Sequence, residues 1–170
     1  DHWAKPGETY TFLGQTYYYL PGEPVGRPVQ RPEILCLATS EDQSGNIFDS
    51  IYYNCTSGPL AQLQGFGMEV TKPRIGLPEG GEIIPTTSGD ASKDGGLETF
   101  ALMDEVHLYT LPKHHSMYKT VQRNLPKRSL DADPWVLEMT TYFRPGQNSV
   151  AENTLKIAED IQAGRSKHYK

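Results

Sequence analysis

Glu105 and His107 are the residues of this sequence best suited to moving a proton. They stand two apart in the apolar stretch Leu97–Leu111, LETFALMDEVHLYTL. On a strand such a pair shares one face, with about 7 Å between the side-chain origins, and Tyr109 continues that face. A carboxylate beside an imidazole suits general acid–base work, because histidine titrates near neutrality. Lining a barrel interior, the trio would serve a cofactor-free isomerase, cyclase or hydrolase. On a solvent-facing edge strand the same residues would be ordinary surface.

A second constellation is cationic. From Val106 to Leu130 there is no Asp or Glu, yet Lys113, Lys119, Arg123, Lys127 and Arg128 all fall there. A helix over Met117–Leu125 would make Lys119 and Arg123 neighbours four apart. With Lys127 and Arg128 they could receive a sulfated glycan, a phosphate or an acidic protein partner. A third set is aromatic. Tyr10, Tyr17, Tyr19, Tyr109 and Trp135 offer contact area for a small apolar or aromatic ligand, or for a glycan.

Signals for metals and cofactors are weak. Asp90, Ser92 and Asp94 ahead of Gly95 resemble the first half of a calcium loop, but Ala101 stands where its bidentate Glu belongs. His107 with His114 or His115, plus Asp104 or Glu105, lacks the tight spacing of a zinc site. No Gly-x-Ser-x-Gly, phosphate-binding Gly-x-x-x-x-Gly-Lys loop or Gly-x-Gly-x-x-Gly occurs, which argues against an NTP- or NAD-dependent enzyme. Neither a metal nor a cofactor is expected.

The elements that must position these residues are organised around Cys36 and Cys55, the two cysteines of the chain. They sit on Glu33–Thr39 and Ile47–Cys55, two apolar runs flanking the turn-rich SEDQSGN, which is a hairpin signal. A turn at Gly45-Asn46 sets the cysteines opposite one another and predicts a disulfide. The same register sets Asp42 against Asp49, which favours a longer loop instead. Two buried free thiols are the competing reading. Asn54-Cys55-Thr56 is a glycosylation sequon, with Asn54 facing water. Paired cysteines, a sequon and a first residue, Asp1, that is not Met predict a secreted or otherwise exported glycoprotein.

A length of 170 residues suggests one domain, with a net charge of −5 that argues against nucleic-acid binding. No run approaches the roughly 20 apolar residues of a membrane span. Residues 1–7 read as an irregular lead-in and residues 72–96 as a long flexible loop. Strands are expected at Glu8–Leu13, Gln15–Leu20, Phe66–Thr71, Leu97–Leu111 and Trp135–Arg144. Ser149 and Glu152 form a capping box that opens a C-terminal helix over residues 149–164. The fold class expected is mainly β, an antiparallel barrel or sandwich of roughly six to eight strands with that helix packed outside. The function expected is a small-molecule or glycan binder. An acid–base enzyme at Glu105 and His107, or an interaction subunit of a larger assembly, are the alternatives.

Overall fold

A computed structural model describes residues 2–26, 28–39, 41–78, 80–87 and 95–165. It divides into two compact units, Asp1–Gln30 and Arg31–Lys170. The first unit is built from short antiparallel pairs. Strand β1 (His2–Trp3) pairs with β4 (Pro24–Val25), and β2 (Thr9–Phe12) pairs with β3 (Gln15–Tyr18). Leu13 and Gly14 turn the second hairpin with φ of 48° and 77°, the positive pair that a tight hairpin turn demands.

The second unit is a mixed α/β structure, and it corrects the expected barrel. Its strands are β5 (Glu33–Ala38), β6 (Glu69–Thr71), β7 (Arg74–Gly76), β8 (Glu82–Thr87), β9 (Phe100–Asp104) and β10 (Trp135–Met139). They form one open six-stranded sheet in the order β10-β9-β5-β8-β7-β6. The first four run parallel, and only β7 and β6 are antiparallel to their neighbours. Parallel strands are buried on both faces and read as unbroken apolar runs rather than as alternation. ILCLA in β5 and FALM in β9 are such runs.

Helices supply the two covers. Helix α1 (Glu41–Thr56) follows β5, α2 (Pro112–Asn124) joins β9 to β10, and α3 (Val150–Gln162) comes last. Cys36 and Ile34 of β5 and Leu102 of β9 face Phe48 and Cys55 of α1. Leu35, Leu37, Ala101 and Met103 point the other way, into Met117, Val121 and Leu125 beneath α2 and Val150 and Ala151 of α3. The sheet is therefore sandwiched, with α1 on one face and α2 and α3 on the other.

The predicted hairpin arm Ile47–Cys55 is helical, and its Gly45-Asn46 turn lies inside α1. Ile47, Phe48, Ile51, Tyr52 and Cys55 all pack into one core cluster. Their spacing is that of a single helix face, and a 3.6 period was there to be read in place of a period of 2. Cys36 and Cys55 are both free and buried, so the expected disulfide is absent. Asn54 lies on α1, where its Nδ2 donates to the Ser50 carbonyl at 2.9 Å. The stretch 72–96 contains β7 and the six residues of β8, so it is not one long loop. The calcium-like Asp90–Asp94 falls outside the described residues. Strand β10 ends at Met139, five residues short of the expected Arg144. The terminal helix opens where Ser149 Oγ accepts from the Glu152 N–H at 3.2 Å. Glu152 in turn accepts from the N–H groups of Gly146 and Asn148.

Candidate functional site

Strand β9 delivers two adjacent carboxylates to the carboxyl end of the parallel sheet. Its last residue is Asp104, one position beyond the Leu37–Met103 pair with β5. Glu105 follows with φ 52° and ψ 44°. That left-handed conformation is unusual for a residue carrying a Cβ and costs roughly 1 kcal/mol or more. It stops the strand and starts a 3-10 turn, Val106–Leu108. The strand predicted to run on to Leu111 ends here for that reason.

The turn, not strand alternation, brings Glu105 and His107 together. Glu105 Oε2 lies 2.9 Å from His107 Nδ1. The imidazole nitrogen is also 2.9 Å from Thr140 Oγ1, just past the end of β10. Thr140 Oγ1 accepts from the His107 backbone N–H at 3.1 Å and donates its own proton to the Thr141 carbonyl at 3.0 Å. Thr141 Oγ1 lies 3.4 Å from His107 Nδ1. Glu105 Oε2 is held close to the ring while buried with no hydrogen-bond partner among the described residues. Such an oxygen is poised to accept from, or coordinate, something else.

Asp104 has its carboxyl pushed above the ordinary range, first by burial and then by the neighbouring charge of Glu105. Two carboxylates in sequence, one of them desolvated, are stabilised by a cation. Hard oxygen donors of this type suit Mg²⁺, which keeps several waters and takes one or two carboxylates alongside phosphate oxygens. Among the described residues no cluster of three His, Cys, Asp or Glu side chains has metal-holding geometry. The grouping of His107 with His114 or His115 and Asp104 or Glu105, which lacks zinc spacing in the sequence, is not among such clusters in the described residues.

The position in the sheet adds to this. After β5 the chain passes over α1 to β6 at the far edge and returns through β7 to β8, and after β9 it crosses to β10 by way of α2, in the opposite direction and over the other face. The carboxyl ends of β5 and β9 therefore flank the switch point where open α/β sheets bind ligands.

The other predicted residues are placed elsewhere. Tyr109 is fully buried, its hydroxyl donating to the Leu37 carbonyl at 3.1 Å, and burial raises its pKa. It is a core tyrosine and does not continue a catalytic face. Tyr10, Tyr17 and Tyr19 belong to the first unit, where Tyr17 and Tyr19 meet edge to face at 4.9 Å. Trp135 opens β10 and stacks on Phe100 at 4.2 Å, 56% exposed. Within the second unit Tyr109 is sealed in the core while Trp135 is exposed at the start of β10, so those two do not face one ligand. A 520 Å³ depression beside Trp135 is lined by Gln122, Leu125 and Pro126, without tyrosine. A 420 Å³ depression at the opposite sheet edge is lined by Arg31, Glu33, Arg74 and Glu82. Of the cationic set, Lys119, Arg123 and Lys127 are exposed, whereas Arg128 is mostly buried and bonded to Asp131 at 2.8 Å. The signal that sequence reasoning passed over is the apolar run Phe100–Met103 closing on two adjacent acids.

No family model matches the chain. It is 28% identical over 151 residues to the Gene 13 protein of Mycobacterium phage L5, a match covering 85% of this chain and 24% of that protein. The Gene 13 protein of Mycobacterium phage D29 is 27% identical over the same length, with the same shares. Among solved structures, the large terminase of bacteriophage HK97 superposes with a TM-score of 0.56 at 15% identity, covering 81% of this chain and 27% of that one. The chain spans about a quarter of the length of these relatives, and the likeness to the solved structure is one of fold. The expectation of a secreted, disulfide-bonded glycoprotein barrel is corrected on both counts. The thiols are free and the sheet is open, and the curated relatives are phage proteins. No helix among the described residues is long and apolar enough to cross a membrane.

Proposed function

We propose that this chain belongs to a phage DNA-packaging assembly of the terminase type, and that its second unit carries the metal and water side of a nucleoside-triphosphate hydrolysis site. The observation that carries this reading is the pair Asp104-Glu105 at the carboxyl end of a central parallel strand, beside the switch point of the sheet. In P-loop NTPases an apolar strand ends in an acid that helps hold Mg²⁺, and a second polar group orients the attacking water. Asp104 is the metal-holding carboxylate on this reading, and Glu105 the group that receives the proton of water. The Mg²⁺ would neutralise charge on the phosphate oxygens. His107 and Thr140 act on Glu105 by position. His107 Nδ1 stands 2.9 Å from Oε2, and Thr140 positions the ring that does so.

The chain has no Gly-x-x-x-x-Gly-Lys loop, so the phosphate cradle of this site is supplied from outside these 170 residues. The kinship with phage Gene 13 proteins and the terminase-like fold support the assembly. The acid pair supports the chemistry.

Mn²⁺ is the probe that tests it, read by loss of the free-ion EPR signal with and without ATP. Asp104→Asn is expected to weaken Mn²⁺ binding about tenfold or more, the scale seen when even outer-shell partners of a metal are removed. Glu105→Gln is expected to retain binding. Equal Mn²⁺ affinity in Asp104→Asn and the unaltered chain overturns the assignment.

A further inference from the structure

The net charge of −5 hides a strongly polar distribution. The stretch from Val106 to Leu130 contains no acid, and α2 lies inside it. Met117 and Val121 are buried against the sheet, whereas Lys113, Ser116, Lys119 and Arg123 are exposed. At about 100° per residue these four fall within an arc of roughly 120° on one flank of the helix, with buried Thr120 inside its edge. Lys127 in the 3-10 turn Leu125–Arg128 does not extend the row, because its Nζ donates to the buried Asn124 Oδ1 at 2.6 Å. Among the described residues Lys113 and Lys119 meet no carboxylate.

We infer that this outward face of α2 is a contact surface for the phosphate backbone of duplex DNA. The inference goes beyond the hydrolysis site, since it uses none of that site's residues. Three observations favour DNA over a protein partner. The exposed arc has no aromatic or aliphatic anchor, and protein interfaces are built around such anchors and are poor in lysine. Its charges are on long, flexible side chains set in a line, as phosphate contacts are. Its length also fits: from Lys113 to Arg123 the helix rises about 15 Å, a span over which a duplex presents about nine phosphate charges. A net charge averages over the whole molecule, while a contact samples only what lies within a Debye length, about 10 Å at ordinary salt.

The test is fluorescence anisotropy of a labelled duplex of about 20 base pairs against the intact 170-residue chain at several salt concentrations. The Lys113→Ala/Lys119→Ala double variant is expected to bind more weakly, with the slope of log K against log salt reduced by about 1.8. Lys72→Ala, which removes a lysine already paired with Asp49 on the other side of the sheet, is expected to bind like the unaltered chain. Circular dichroism melting confirms that both variants fold. Three outcomes overturn the proposal: no binding of the duplex at low salt, an equal loss in Lys72→Ala, or competition by polyglutamate as strong per charge as by unlabelled duplex. The last would mark the face as one for an acidic protein.

Discussion

Glu105 Oε2 sits 2.9 Å from His107 Nδ1 because the chain leaves β9 through a left-handed residue. Had the strand continued, the two side chains would have stood about 7 Å apart at their origins. The turn shortens that separation and points both groups at the end of β10, where Thr140 fixes the ring. A backbone conformation disfavoured for glutamate is what sets this contact.

That conformation can be tested separately from the chemistry. Glycine accepts a φ of 52° without penalty and alanine does not. Glu105→Gly is therefore expected to be more stable than Glu105→Ala by about 1 kcal/mol. Urea unfolding of the two variants measures the difference. Equal midpoints and slopes remove the argument for strain.

The buried hydroxyl of Tyr109 gives a second expectation. It satisfies the Leu37 carbonyl inside the core, so Tyr109→Phe leaves a main-chain acceptor desolvated. The expected loss is about 1–3 kcal/mol, read by the same unfolding assay. A neutral result means that the carbonyl finds another donor.

The two thiols are predicted to be present and slow to react. Burial pushes the Cys36 thiol up to about 12, and it raises that of Cys55 as well. The thiolate is the reactive form. At pH 8 in the folded protein Cys36 is expected to resist iodoacetamide, and both residues are expected to alkylate in denaturant without prior reduction. A mass shift on reduction, or one thiol missing in denaturant, contradicts this.

The start of α3 yields the pH dependence. The Lys156 ammonium, with the N–H groups of Gly146 and Asn148, holds the Glu152 carboxyl below the usual carboxylate range. A group whose pKa is lower in the folded than in the unfolded state contributes stability above its unfolded pKa. That contribution is lost as pH falls through the folded value. Glu152→Gln is expected to flatten this part of the acid limb of a stability–pH curve below about pH 4.5, the ordinary carboxylate value. Ser149→Ala, which removes only the cap, is expected to cost about 1 kcal/mol at every pH. Parallel acid limbs for Glu152→Gln and the unaltered chain reject the assignment.

The sequence by itself determined the features that depend on neighbours a few residues away. The capping box at Ser149 and Glu152 and the joint at Gly14 between the first two long strands follow from local hydrogen bonding and backbone preference. The sequence also held the helix period of Phe48, Ile51, Tyr52 and Cys55, although turn-forming residues at 40–46 drew attention to a hairpin. What only the tertiary structure decided is strand direction and the company each strand keeps. An apolar run such as ILCLA or FALM is compatible with a barrel wall or with a parallel sheet covered on both faces. The choice rests on pairings between residues more than sixty apart, such as Leu35 with Ala101. Those pairings put Asp104 at the switch point of the sheet, and no local pattern shows that two neighbouring acids end a central strand there.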